Sequence, residues 1–289
     1  MKVSFLGLGV MGFPMAGHLA AAGHETCVYN RTAEKAERWL ALHRGRRAVD
    51  PAEAAAGADI VFACLGDDPD VETVAAQIIP ALRPGAVFVD HTTASPALAR
   101  RLAEEAQARG AGFVDAPVSG GQAGAENGKL SIMCGGGAED VEKARPAMNA
   151  YAARIVHVGP SGHGQLCKAV NQLCIAGVLQ GLAEGVHFAE RAGLDIERVL
   201  EAISGGAAQS WQMDNRARTM ADDEFEFGFA VDWMRKDLRI ALTEARANGA
   251  KLPFTALVDQ FYADIQAMGG GGWDTSSLIR RLTPPARSE

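Results

Sequence analysis

Up to about residue 160, short apolar runs rich in Val, Ile and Phe alternate with Ala-rich amphipathic stretches of helical length. Short apolar runs bounded by turn formers read as buried strands, and stretches with a 3.6-residue period read as helices packed on them. The predicted strands cover 3–6, 26–30, 59–65, 86–91, 112–116, 130–135 and 154–158, and the predicted helices 10–22, 32–42, 69–79, 96–108 and 139–150. Strict alternation of the two kinds is the signature of a mainly parallel sheet covered by helices.

The pattern changes after Gly159-Pro160-Ser161-Gly162, beyond which β-branched runs almost disappear and the chain reads as helix. From 164 to 192 small and apolar residues continue without a proline. That is enough for one helix of about 40 Å, at about 1.5 Å per residue, able to join two domains and line a cleft between them. Further helices are predicted at 195–203, 232–248, 253–268 and 275–282, with Gly269-Gly270-Gly271-Gly272 as a flexible break. The expected architecture is an α/β domain at 1–161 followed by an all-α domain at 162–289.

Length and composition narrow the class. At 289 residues the chain fits two domains of ordinary size. No window approaches the roughly 18 consecutive apolar residues of a membrane-spanning helix, and the start lacks the apolar stretch of a secretory signal, so a cytoplasmic protein is expected. A net charge of −7 gives no footprint for nucleic acid, and a small anionic substrate then needs a local positive site. Cys27, Cys64, Cys134, Cys167 and Cys174 form no C-x-x-C pair and leave one unmatched, which points to buried free thiols and to no metal site.

Directly after the first strand stands Gly7-Leu8-Gly9-Val10-Met11-Gly12, a G-x-G-x-x-G that opens a helix. Glycines permit the tight turn and close backbone approach, and the helix N-terminus offers N–H groups to a pyrophosphate. The second strand ends at Asn30-Arg31-Thr32. An acidic residue there would bind a ribose 2′-OH, whereas neutral Asn30 followed by Arg31 suits a 2′-phosphate and favours NADP over NAD. A triphosphate loop is excluded: Gly124-Ala125-Glu126-Asn127-Gly128-Lys129 is one residue short and is followed by Leu130 in place of Ser or Thr.

Two further clusters carry chemistry. The loop 115–125, Asp-Ala-Pro-Val-Ser-Gly-Gly-Gln-Ala-Gly-Ala, has more glycine than a connection needs. The N–H groups around Ser119, Gly120 and Gly121, with the Ser119 hydroxyl, can form a concavity for a carboxylate; a plain flexible loop is the alternative. At the start of the long predicted helix, Lys168, Asn171 and Gln172 stand at i, i+3 and i+4 and share one face. A lysine on so apolar a helix is costly to bury without a purpose or a partner. His91 and His163 have no spacing that supports acid/base work.

The glycine fingerprint with Met11, the 115–125 loop, the 162–172 cluster and Lys236-Asp237-Leu238, in this order, make the chain resemble the β-hydroxyacid dehydrogenase family along essentially its whole length. The family includes 3-hydroxyisobutyrate dehydrogenases and tartronate semialdehyde reductases. The resemblance implies a Rossmann-type N-terminal domain, a long interdomain helix, a helical C-terminal domain and a homo-oligomer, dimer or tetramer. It implies an NAD(P)-dependent oxidoreductase that interconverts a small β-hydroxyacid and its semialdehyde. By resemblance Lys168 is the catalytic lysine, Ser119, Gly120 and Gly121 bind the substrate carboxylate, and Asn171 and Gln172 orient the substrate. Gln172, where many members have Asn, is similar to the tartronate semialdehyde reductases. Leu65 and Gly66 match the backbone passing the adenosine and ribose, Thr93 matches a cofactor-contacting position, and Phe229 and Lys236 match the nicotinamide side; Thr93 as a helix cap, Phe229 as a core aromatic and Asp237 as a structural ion-pair partner are the plain alternatives. An imine reductase on the same architecture is disfavoured by Lys168 and the carboxylate loop. A catalytically silent NADP-binding protein is disfavoured by the same lysine, and the longer decarboxylating sugar-acid dehydrogenases by length.

Overall fold

The computed structural model describes residues 1–282. Packing divides the chain into two compact units, Met1–Lys168 and the residues from Ala169 onward. The last seven positions of the C-terminal domain expected at 162–289 lie outside the described residues.

The first unit runs β1 (Lys2–Leu6), α1 (Gly12–Ala21), β2 (Glu25–Tyr29), α2 (Ala33–Leu40), β3 (Arg46–Arg47), α3 (Pro51–Ala55), β4 (Ile60–Ala63), α4 (Asp68–Ala81), β5 (Val87–Asp90), α5 (Pro96–Gln107), β6 (Gly112–Asp115), β7 (Val118–Ser119), α6 (Gly121–Glu126), β8 (Leu130–Gly136), α7 (Ala138–Met148) and β9 (Ala152–Gly159). The strands form one sheet in the order β3-β2-β1-β4-β5-β6-β8-β7, parallel from β3 to β6, with β9 parallel on β8. β8 turns the direction, pairing antiparallel with both β6 and β7.

Side chains alternate across this sheet with a period of two. Phe5, Ile60, Phe62, Val87 and Val89 enter one core with residues of α1, α2 and α7. Leu6, Val61, Ala63 and Phe88 enter the other with residues of α3, α4 and α5. Both faces are covered, which is why these strands read as unbroken apolar runs. Strand order reverses beside β1, where β2 lies on one side and β4 on the other. In such sheets ligands bind outside the carboxyl ends of the strands at this point, and here those ends are the Gly7 turn and the Cys64–Leu65–Gly66 segment.

α8 (His163–Arg191) crosses from one unit to the other and is followed by α9 (Ile196–Ile203), α10 (Trp211–Ala221), α11 (Val231–Asn248), α12 (Pro253–Ala267) and a 3₁₀ helix, Thr275–Arg281. By length and mean composition α8 could cross a membrane, although polar residues from Gln165 to Glu184 interrupt it and leave no unbroken apolar run of that length. Its apolar side chains Ala176, Leu179, Ala183 and Val186 instead build the core of the second unit with Met213, Leu238, Val258 and Tyr262.

Several expectations change. The Gly269–Gly272 run is a hydrogen-bonded turn: Gly270 N–H donates to Ile265 O at 2.9 Å, and Gly271 O accepts from Asp232 N at 2.9 Å. The segment after it winds as 3₁₀ because buried Asp274 binds both Ser276 N–H and its hydroxyl. β3 escaped prediction because it is two exposed arginines on the sheet edge, a place where charge protects against further pairing. α10 escaped it too; its sequence is polar around Met213, Ala217 and Met220, the residues it buries. The cysteines are free, but only Cys27 and Cys134 are buried, and Cys174 is exposed. Burial pushes the Cys134 thiol up to about 12.

Candidate active site

The three glycines of the turn have unequal surroundings. Gly7 has φ +94°, its N–H donates to Tyr29 O at 2.9 Å, and a Cβ there would overlap the Cys64 carbonyl. A Cβ on Gly12 would overlap the Gly7 carbonyl oxygen. Around Gly9 nothing lies within 4 Å of where a Cβ would stand. Gly7 and Gly12 thus close the turn against the end of β4, and the space over Gly9 ahead of α1 stays open. Leu8, Val10 and Met11 complete the turn, and Leu8 N–H donates to Asn30 Oδ1 at 2.8 Å. Asn30 also donates to Thr32 O at 3.0 Å, so it fastens the turn to the start of α2 besides leaving the strand end uncharged. Arg31 is 89% exposed and stands 3.6 Å from Asp70 of α4. Thr32 precedes α2 in an extended conformation without a side-chain capping bond.

The neighbouring strand ends are tied to one another. Leu65 N–H, just before Gly66, donates to Thr92 Oγ at 2.9 Å, and Thr92 N–H donates to Asp90 Oδ1 at 3.0 Å. Thr93 lies between two residues held by Gln165, which donates to Thr92 O at 2.7 Å and accepts from Ala94 N at 3.1 Å.

The 115–125 loop is ordered by a different means. Ser119 ends β7 half-buried, exposed Gly120 has φ +125°, and Gly121 opens α6. At the root of the loop, buried His91 donates from Nδ1 to Ala116 O at 2.7 Å, since a carbonyl can only accept. Its Nε2 therefore accepts from the Tyr151 hydroxyl at 2.9 Å. Burial holds this imidazole down at about 4, so it is neutral and fully engaged. Asp115 is fully buried and accepts from Gly162 N at 2.8 Å and Gln165 N at 2.9 Å, capping the start of α8 from another strand. Burial raises its carboxyl to about 6 against the opposing effect of those N–H groups. Gly164 is required by the same approach, because a Cβ would run into Asp115 O and Met133 O.

Lys168 is buried on α8, one turn beyond Gln165. Asn171 and Gln172 continue the same helix into the second unit. There Asn171 Nδ2 donates to Gln172 Oε1 at 2.8 Å, and Gln172 Nε2 donates to Asp237 Oδ2 at 2.6 Å. Lys236 Nζ lies 3.2 Å from Asp237 Oδ1 and 5.6 Å from the Trp233 ring centroid. Phe229 is half-buried, and its N–H donates at 2.9 Å to Asp274, a buried carboxylate that also pairs with Arg216 at 3.1 Å. The sequence reading did not single out Gln165, the capping by Asp115 or the hub at Asp274. The only signal for them was a polar residue within an otherwise apolar or glycine-rich stretch. Among the described residues no group of three or more His, Cys, Asp and Glu could hold a metal ion.

Both halves of the chain match known protein families. Residues 2–159 match the family model described as the NAD binding domain of 6-phosphogluconate dehydrogenase. Residues 162–282 match that described as NAD-binding of NADP-dependent 3-hydroxyisobutyrate dehydrogenase. An uncharacterized oxidoreductase of Shewanella frigidimarina is 56% identical, over 97% of this chain and 98% of its own length. The 2-hydroxy-3-oxopropionate reductase of Escherichia coli is 36% identical, over 98% and 97% of the two chains. The structure of Mycobacterium tuberculosis 3-hydroxyisobutyrate dehydrogenase with L-serine superposes with a TM-score of 0.89 at 32% identity, covering 98% of this chain and 99% of that one. With matches that together span nearly all of its length, the chain belongs to the NAD(P)-dependent β-hydroxyacid dehydrogenase family.

Proposed function

We propose that this protein interconverts a small β-hydroxyacid and its semialdehyde with NADP(H), using Lys168 as the acid/base group. The observation that carries the reading is a buried lysine near the start of a helix whose first turn is fastened by Asp115, the residue that also begins the Ser119 loop. In this reading the N–H groups of Gly120 and Gly121 and the Ser119 hydroxyl hold the substrate carboxylate. Lys168 takes the hydroxyl proton during oxidation and returns it during reduction, and its ammonium form polarises the carbonyl oxygen. The nicotinamide, when bound, accepts or donates the hydride. Asn171 and Gln172 orient the substrate, and Leu65, Gly66, Thr93, Phe229 and Lys236 serve the cofactor.

NADP preference is supported by Arg31. Its pairing with Asp70 is exposed and long, so it costs little to exchange for a 2′-phosphate. The description of the family model matched by the second half names an NADP-dependent enzyme.

The test compares kcat, NADP affinity and thermal stability of the native protein, Lys168→Ala and Lys168→Arg. The substrates are 3-hydroxyisobutyrate, glycerate, tartronate semialdehyde, succinic semialdehyde, 3-hydroxypropionate and serine. Lys168→Ala should lose about 10²–10⁴-fold in kcat with cofactor affinity kept, and arginine should not rescue it because a guanidinium stays protonated. Near-native turnover by either variant rejects the assignment.

A further inference from the structure

We infer that Gln165 is a positioning residue, whose carboxamide clamps the backbone on both sides of Thr93 to the first turn of α8 and so fixes where Lys168 stands relative to that segment. The inference rests on Lys168 being the proton-exchanging group.

β5 ends at Asp90, and the chain at Thr92–Ala94 has left the ladder of the sheet. Gln165 replaces the missing strand partner. Its Nε2 donates to Thr92 O at 2.7 Å and its Oε1 accepts from Ala94 N at 3.1 Å, the donor and acceptor pattern of a peptide unit. A carboxamide matches the donor and acceptor spacing of a peptide unit, and Asn is one methylene shorter than Gln. The side chain is 2% exposed, so water does not compete for either bond.

The backbone of the same residue is held as well, by Asp115 Oδ2 at 2.9 Å, while Gly162 N–H binds the other oxygen at 2.8 Å. The start of α8 is thereby pinned to the ends of β5 and β6 through one residue. Lys168 follows at i+3 on the same face, about 4.5 Å further along the axis. Loosening the clamp lets the lysine and the Thr93 segment shift independently, and a misplacement of about 1 Å can cost on the order of a hundredfold in rate.

The experiment compares the native enzyme, Gln165→Met, Gln165→Glu and Lys168→Ala, in the reducing direction, on whichever semialdehyde of the panel above the native enzyme uses best. Met keeps the length of the side chain and loses both bonds; Glu keeps the acceptor for Ala94 and sets a second acceptor against Thr92 O. Both variants are expected below the native kcat, with Met about ten- to a hundredfold down. NADPH affinity should stay within about fivefold, and the deuterium isotope effect from NADPH labelled at the transferred hydrogen should rise as hydride transfer becomes limiting. Amide hydrogen exchange should quicken at 92–94 and 162–168 with the rest of the protein unchanged. A native kcat in Gln165→Met, or a kcat loss that follows thermal stability with no rise in the isotope effect, overturns the inference while Lys168→Ala remains inactive. If Lys168→Ala keeps turnover, the acid/base reading itself falls and the inference falls with it.

Discussion

The turn from Gly7 to Gly12 and the loop 115–125 are both rich in glycine and both follow strands of one sheet, but they are fastened by different physics. In the first, two glycines are packed against backbone oxygens that cannot move aside. In the second, Gly121 has φ +59° with nothing within 4 Å of a Cβ, and order comes from its root, where buried His91 and Asp115 grip backbone groups. A turn held by contact between uncharged backbone atoms is indifferent to pH. A loop held through titratable side chains is not.

Four substitutions sharpen or break this contrast, ranked by their effect on stability. Gly12→Ala forces a methyl into the Gly7 carbonyl and should cost more than about 3 kcal/mol in urea denaturation. A native-like midpoint would mean that the turn relaxes and that contact does not hold it.

Asp115→Asn tests the other side through pH. The folded-state value of about 6 lies above the ordinary 3.8, so the fold favours the protonated carboxyl. That contribution is complete below about pH 4 and is lost as pH rises through about 6, a change on the order of 3 kcal/mol. Asparagine does not titrate. The stability difference, native minus variant, should therefore fall as denaturation is repeated from about pH 4 to about pH 7, and a flat difference would remove Asp115 as a titrating anchor. His91, held down at about 4, acts in the opposite sense, stabilising above its usual 6.5 and losing that contribution as pH falls. It is present in both proteins and cancels in the difference.

Tyr151→Phe deletes the hydroxyl that donates to His91 Nε2 and leaves a buried acceptor without its donor. The expected cost is about 1–3 kcal/mol at neutral pH, read from the melting temperature. No change would show that the imidazole does not depend on this bond to hold the loop. Smallest in stability is Gly9→Ala, within about 0.5 kcal/mol of native because its surroundings are open. Its NADP affinity should nonetheless fall at least about tenfold, as measured by calorimetry, because the methyl stands where the pyrophosphate approaches. Unaltered affinity would leave the open space over Gly9 without a ligand.

The same contrast explains what the sequence revealed. The run around β4 and the helix α5 were legible because burial on both faces of a strand leaves an unbroken apolar run and burial of one helix stripe imprints a period. Gly7–Gly12 was legible because its three glycines fall at the fixed spacing of a strand–turn–helix fingerprint. The pairs His91–Ala116, Asp115–Gly162 and Gln165–Thr92 were not, since they join residues 25, 47 and 73 positions apart and leave no periodic trace. His91 illustrates the limit: spacing gave it no role in acid/base chemistry, but only the fold shows that both its nitrogens are committed to structure.

The unequal surroundings of the three fingerprint glycines also separate heritage from use among diverging copies of such a gene. Gly7 and Gly12 are demanded by the folded chain itself, so a descendant that no longer bound a dinucleotide would still be under selection to keep them. Gly9 meets no such demand, and on the proposed reading it answers to the cofactor and would be released to drift once binding was lost. In a decaying lineage the motif would first read G-x-x-x-x-G, and a side chain at position 9 would date the loss of the cofactor earlier than any change in the core.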